Sequence, residues 1–357
     1  MRRKEKHIYT YAGTGFVVTA IGDVLFQWIE HIQSGKPFTW DSYNGKRTLR
    51  NAVIGAGVGA GIGYLTYELK LSQESKYPFN SDDYIKSLLT REQIKKNPAF
   101  LNRFLEYRST IKGWLMQEFQ QILAGPPEDA GSFHKRTAIN SNYDVDIIVP
   151  FKRNSFSSLK EMYYAVYDKI KEKFGYNAFV NKETKAIGVT FEYEQMPLHF
   201  DIVPGREIND YSIAKDLNLY VRPDWIWQRG SSFKTNVGVQ KEMTKNQPVA
   251  RRIIKLTKIY RERNNFQLPS VIIEQCICDA LLNRNFGVSF SDTDNFINSL
   301  THLSKRLQSG VIIDRSNTNN NLLDSVSNEK VNGFVSQIHR DIDRIISTPR
   351  YIKEIFE

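Results

Sequence analysis

Residues 131–150 read GSFHKRTAINSNYDVDIIVP, and the YDVDIIV run inside them decides the reading of the fold. The run is apolar and β-branched apart from Asp144 and Asp146, the composition of a strand inside a sheet. Residues two apart on a strand point the same way, so the two carboxylates share a face. Like charges that close repel, and burying them without a partner costs several kcal/mol. A divalent cation with oxygen ligands is the simplest compensation.

Working outward, Gly131-Ser132 stands just before the acidic strand, in a turn suited to presenting backbone N–H groups to phosphate. Downstream, LHFDIVPG carries Asp201 inside a second apolar strand. If the two strands are neighbours, three carboxylates converge beside a phosphate-binding turn. That is the arrangement required for two-metal phosphoryl transfer. A lone DxD is more often a solvated strand edge, and a lone GS dipeptide carries nothing. Their joint occurrence, in this order and with apolar flanks on both strands, points to a functional site.

Around this core the pattern mixes helices and strands. LNRFLEYRSTIKGWLMQEFQQIL (101–123) has apolar residues at helical spacing and is stopped before Pro126 and Pro127. SLKEMYYAVYDKIKEKFG (158–175) is a helix ended by Gly175, and NAFVNKETKAIGVTFEYE a hairpin. From Pro248 onward four amphipathic stretches predict helices. The expected fold is α+β: a core with a mixed sheet over 101–247, then a helical domain over 248–357. Residues 76–100 read as a linker, and 1–75 as an N-terminal helical extension.

That extension admits two readings. Residues 11–32 are largely apolar, and NAVIGAGVGAGIGYLTYELKL (51–71) places Gly55, Gly59 and Gly63 on one helical face, the spacing that lets membrane helices approach closely. Against a membrane hairpin, Asp23 interrupts the first span and each apolar run is short. Lys36, Lys46, Arg47 and Arg50 would also have to cross. A soluble helical segment that docks a partner is the other reading. The expected location is cytoplasmic, with residues 11–71 the segment through which any membrane association would run. No cleavage pattern of a secretory signal follows.

The bulk numbers set bounds. At 357 residues, 41% hydrophobic and 25% charged, the chain has room for two domains and a sizeable core. Its net charge of +10 favours anionic partners such as nucleotides, nucleic acid or a membrane surface. Cys276 and Cys278 lie two apart in a helical run with no second pair, which excludes a zinc site and reads as reduced core thiols.

GSFHKRTAINSNYDVDIIV with a later FDIVP resembles the polymerase-β-type nucleotidyltransferase superfamily, and within it the bacterial CD-NTases, relatives of cyclic GMP–AMP synthase and oligoadenylate synthase. The resemblance covers Leu101 to Arg344. It implies that Gly131 and Ser132 contact a nucleoside triphosphate, and that Asp144 and Asp146 hold two Mg²⁺, with Mn²⁺ as a substitute. Asp201 would complete the site for the attacking hydroxyl. ARRIIKLTKIYRE is similar to the helix whose lysine reaches the phosphates, which points to Lys255. VIIDRSNTNNNLLDSVS, with Asp314 and Asn321, is similar to the element that closes the nucleotide cleft.

Arg136 stands where the family has glycine, and would either narrow the turn or add a cationic phosphate contact. His134 reads as a solvent-facing turn residue. Trp225 and Trp227 read more readily as core packing than as base-stacking groups. The resemblance implies a synthase of a cyclic or linear oligonucleotide signal in antiphage defence, with a downstream effector protein as partner. A template-independent polymerase, primed on nucleic acid or on a hydroxyl of its own chain, and a protein-nucleotidylating enzyme would use the same carboxylates. Nucleic acid would enter as product or activator.

Overall fold

The period-two alternation of residues 144–151 forms the central strand of the computed structural model, which describes residues 3–33, 43–74, 79–93, 98–139, 144–223, 230–282 and 288–357. Two long helices, α1 (Arg3–Gln33) and α2 (Gly45–Glu74), open the chain, followed by α3 (Ser81–Arg91) and α4 (Pro98–Glu118). Next come β1 (Glu128–Asp129), the single-turn α5 (Gly131–His134), β2 (Asp144–Phe151), α6 (Leu159–Phe174), β3 (Phe179–Lys182), β4 (Ile187–Tyr193) and β5 (Met196–Glu207). A short α7 (Tyr211–Ala214), β6 (Asp216–Val221), β7 (Ser231–Asn236) and α8 (Val237–Glu242) lead to α9 (Pro248–Arg263), α10 (Ser270–Leu282) and α11 (Asp292–Gln308). The chain closes with β8 (Ile313–Asp314), β9 (Asn317–Asn321), α12 (Asn328–Ser347) and α13 (Ile352–Phe356). Trp225 and Trp227 lie outside the described residues.

The chain divides into two compact units. The larger, residues 85–259 and 266–339, holds a mixed sheet in the order β1-β2-β5-β4-β3, with β6 paired to β5 and β7 to β6. Among the described strands only β2 and β5 run parallel, with Asp146 in register with Asp201 and Asp144 with His199. The alternation then sorts side chains by face. Val145, Ile147, Val149 and Phe151 of β2 join Leu198, Phe200 and Ile202 of β5 in a core covered by Phe104, Ile111 and Leu115 of α4 and Met162, Val166 and Ile170 of α6. The acidic residues are left on the opposite face. Helix α6 starts where the Ser158 side chain accepts from the Glu161 N–H. In the helical part of this unit Cys276 and Cys278 of α10 are both buried and free, and burial pushes each thiol up to about 12.

The smaller unit, residues 1–84, 260–265 and 340–357, is organised on the α1–α2 hairpin. The helices approach so closely that a Cβ on Gly15 would lie 2.2 Å from the Gly55 carbonyl oxygen, and one on Gly59 2.2 Å from that of Tyr11. In the same unit the Tyr260 hydroxyl donates to Asp341 at 2.9 Å, and the Tyr260 ring meets Phe356. The residues read as a linker contain helix α3, whose Ile85, Leu88 and Leu89 are buried. Its polar start disguised an apolar stripe only one face wide.

Candidate active site

The turn before β2 is held against that strand. The Ala130 N–H donates to the Asp146 carbonyl at 2.9 Å, and β1 pairs with β2 through Asp129 opposite Ile147. Gly131 then takes φ +59°, and a Cβ there would fall 1.6 Å from Asp146 Oδ2. Both the backbone conformation and the close approach require glycine. The Thr137 N–H closes the turn on the Ser132 carbonyl at 2.9 Å. Arg136 adopts φ +57°, a left-handed conformation that a side chain strains. Ser132 is half-buried, and Arg136 and His134 are exposed.

Gly131, Asp146 and Asp201 line one cavity of about 400 Å³, together with Lys185, Phe233, Thr235 and Gln240. Asp144 lies two residues outward on the same face of β2. Among the described residues, neither Asp144 nor Asp146 has a side-chain hydrogen bond or an ion pair. Burial, with the neighbouring Asp201 charge, raises Asp146 to about 7 and shifts Asp144 in the same direction. Asp201 Oδ1 faces His199 Nε2 at 3.1 Å, and His199 Nδ1 meets the Thr190 hydroxyl at 2.7 Å. The hydrogen bond to Asp201 holds the His199 imidazole above its ordinary range. Glu183, raised by burial, sits 3.5 Å from His199, and the ligand atoms of Glu183, His199 and Asp201 lie within 4.8 Å of one another. Asp144 and Asp146, crowded beside Asp201 with no side-chain ion pair of their own among the described residues, suit hard divalent cations.

A second network fixes the turn from behind. The Lys135 ammonium donates to Glu274 Oε2, Lys258 Nζ donates to Glu274 Oε1 at 2.7 Å, and the Thr137 hydroxyl reaches Oε1 at 3.1 Å. Lys258 also donates to the Thr137 carbonyl at 3.3 Å. All four residues are buried, and the two ammonium groups hold the Glu274 carboxyl at about 2 against the opposing effect of burial. Lys258 of α9 meets the turn from behind. Lys255, three residues earlier, is half-buried and is not among the residues lining the cavity.

At the cavity rim Lys185 lies over the Phe233 ring at 3.6 Å, and burial lowers its pKa. Gln240 Nε2 donates to the Thr235 hydroxyl at 2.9 Å and to the Ser316 hydroxyl at 3.3 Å. Ser316 belongs to the β8–β9 turn, where the buried Asp314 accepts its N–H and hydroxyl at 2.8 and 2.7 Å. Asn321 closes that hairpin by accepting from the Ile312 N–H at 2.9 Å. Sequence reasoning missed His199, Glu183, Lys258 and Glu274. Of these, His199 carried a signal, since it precedes Asp201 by two residues on a strand and so shares its face.

No protein-family model matches the chain, and no curated protein matches it in sequence. Solved structures do. CdnC of E. coli MS115-1 with ATP is 18% identical over 77% of this chain and 97% of that one, with a TM-score of 0.57. The Bradyrhizobium diazoefficiens CD-NTase CdnG in complex with GTP is 12% identical over 77% and 96%, with a TM-score of 0.62. The Vibrio cholerae cyclic AMP-GMP synthase DncV, with the linear intermediate 5′ pppA(3′,5′)pG, is 15% identical over 62% and 63%, with a TM-score of 0.50. The chain has the polymerase-β-type nucleotidyltransferase fold of the bacterial CD-NTases.

Proposed function

We propose that this protein is a nucleotidyltransferase that uses nucleoside triphosphates, releases pyrophosphate, and makes a cyclic or linear oligonucleotide signal that acts on a downstream effector in antiphage defence. The observation that carries this reading is the unpaired face of Asp144 and Asp146 beside Asp201, with Gly131 packed on Asp146. ATP, GTP and a linear intermediate accompany the similar structures and support nucleoside triphosphates as substrates.

Asp144, Asp146 and Asp201 would hold two Mg²⁺, which when bound supply charge neutralisation for the attacking and leaving oxygens. The Gly131–Ser132 turn presents backbone N–H groups to the triphosphate, and the missing Cβ lets the phosphates approach the carboxylates. His199 orients Asp201 next to the position of the attacking hydroxyl. Phe233 and Gln240, on the cavity wall, offer a base one apolar ring and one amide. The Lys135–Glu274–Lys258 network keeps the turn in place.

The test incubates the purified protein with Mg²⁺ and each labelled NTP and dNTP, singly and mixed, with and without phosphatase. Small phosphatase-resistant products that vanish in Asp144→Ala plus Asp146→Ala are the expected result. A ladder would move the reading to a template-independent polymerase, and label retained on the chain to protein nucleotidylation. Absence of both incorporation and Mg²⁺-dependent nucleotide binding would refute nucleotidyl transfer.

A further inference from the structure

The α1–α2 hairpin presents apolar side chains outward along both helices. Val17, Val18 and Ile21 of α1 are 53%, 64% and 57% exposed, and Val53, Ile54 and Val58 of α2 are 59%, 58% and 58% exposed. Phe16, Leu25 and Phe26 extend the belt on α1, as Leu49, Ile62 and Leu65 do on α2. Soluble surfaces seldom keep apolar patches of this extent uncovered. The apolar segment of α1 runs 24 residues, from His7 to Glu30. At 1.5 Å per residue that is about 36 Å, enough to cross a hydrocarbon core of about 30 Å.

The inside of the hairpin is built in the opposite sense. Glycines at 15, 55 and 59 bring the backbones together, whereas Gly13, Gly57 and Gly61 have open space where a Cβ would be. A cluster of polar side chains around Asp23 turns inward. Asp23 accepts from Gln27 and Thr48 at 2.6 Å each, from Asn51 at 2.7 Å and from Arg47 at 3.1 Å. Arg47 also donates to Glu30 at 2.9 Å and lies over the Phe26 ring. Thr19 donates to the Gly15 carbonyl within its own helix, so its hydroxyl is satisfied as well. The charge that interrupts the first apolar span is thereby matched within the hairpin. Such inward pairing is what a low-dielectric surrounding demands, because lipid offers no hydrogen bonds.

Basic residues also lie near both ends of the hairpin, Lys4 at the start of α1 and Lys46 and Arg50 at the start of α2. Their chemistry complements anionic headgroups. We propose that the hairpin is a bilayer-embedded anchor, its outer belt in contact with lipid and its Asp23 cluster sealed between the helices. The hairpin geometry returns the chain to the side of the membrane on which it started.

The test is flotation of membranes from cells expressing the full chain, before and after an alkaline carbonate wash. The expected result is that the protein floats with the membranes in both. Val18→Lys, Ile21→Lys and Val58→Lys combined change only outward side chains and leave the Asp23 cluster in place. Each lysine should lower membrane partition about a hundredfold by insertion scales, moving the variant to the load fractions. Wild-type protein that stays in the load fractions, as a soluble oligomer or with a soluble partner, overturns the proposal. So does extraction by carbonate, or a lysine variant that floats like the wild type.

Discussion

Replacing Glu274 by glutamine tests what holds the phosphate-binding turn. The carboxylate is 1% exposed and is shared by Lys135 and Lys258, themselves 8% and 3% exposed. Glutamine preserves the volume and one acceptor oxygen but removes the charge, leaving two buried ammonium groups without a counter-ion. Breaking a buried pair in this way costs about 3–5 kcal/mol. Against the effect of burial, the two ammonium groups hold the Glu274 carboxyl down at about 2, which acts in the same direction. The folded-state pKa is depressed, so this stability is present above pH 4.5 and is lost as the pH falls toward about 2.

Amide hydrogen exchange reads the effect locally, apart from any opening of the α1–α2 hairpin. In Glu274→Gln, peptides covering residues 131–139 and α10 should exchange about two to four decades faster at pH 7. After correction for intrinsic rates, the gap from wild type should shrink below pH 4.5. Adding Lys258→Met removes one of the stranded charges and should restore part of the protection. A Glu274→Gln penalty below about 1 kcal/mol, the level of an exposed pair, would refute the reasoning. So would a gap that does not change with pH.

Gly131→Ala should abolish nucleotide binding by equilibrium dialysis, because its Cβ would collide with the Asp146 carboxylate, whereas Ser132→Ala should weaken it by about tenfold or less, the loss of one hydrogen bond. Arg136→Gly should raise the thermal midpoint by the equivalent of about 1 kcal/mol, because it relieves a left-handed residue; lower nucleotide affinity in that variant would show that the guanidinium contacts phosphate. Mg²⁺ in calorimetric scans should stabilise the wild type, and Asp146→Asn should lose that shift while unfolding at or above the metal-free wild-type midpoint, since it removes a crowded charge. In α2, Gly59→Leu should separate the hairpin helices and expose Asp23 to exchange of its partners, whereas Gly57→Leu, facing open space, should leave the hairpin intact by the same exchange measurement.

The legible parts of the fold were those written in local periodicity. Alternation placed Asp144 and Asp146 on one face, and apolar flanks marked the strand carrying Asp201, so the parallel β2–β5 pairing only had to align them. The Lys135–Glu274 pair, by contrast, spans 139 positions, and nothing local distinguishes Glu274 from a surface glutamate at the start of an apolar helix. Strands β6 and β7 were equally hidden, because DLNLYV and SSFKTN carry polar residues, and β7 lies at the edge of the sheet. Asp23 read as a fault in an apolar helix because its partners Thr48, Arg47 and Asn51 lie on the other arm of the hairpin. In each case the missing information was the partner, and the partner was remote.

The distribution of cations around the larger unit's acidic residues bears on what the carboxylates await. Glu128 and Asp129, a few residues before Gly131, are fully served. Asp129 is gripped by Arg108 through both oxygens and approached by Lys112, and Glu128 takes Lys241, Lys215 and the Tyr211 hydroxyl. Those contacts hold both carboxyls below their usual range. Among the described residues Asp144 and Asp146, on the strand paired with β1, make no such contact, and both shift the other way. Among the described residues, basic side chains hydrogen-bond one acidic pair and not its neighbour, a contrast that supports a charge brought from outside the polypeptide. A divalent ion carried in with a triphosphate fits that requirement.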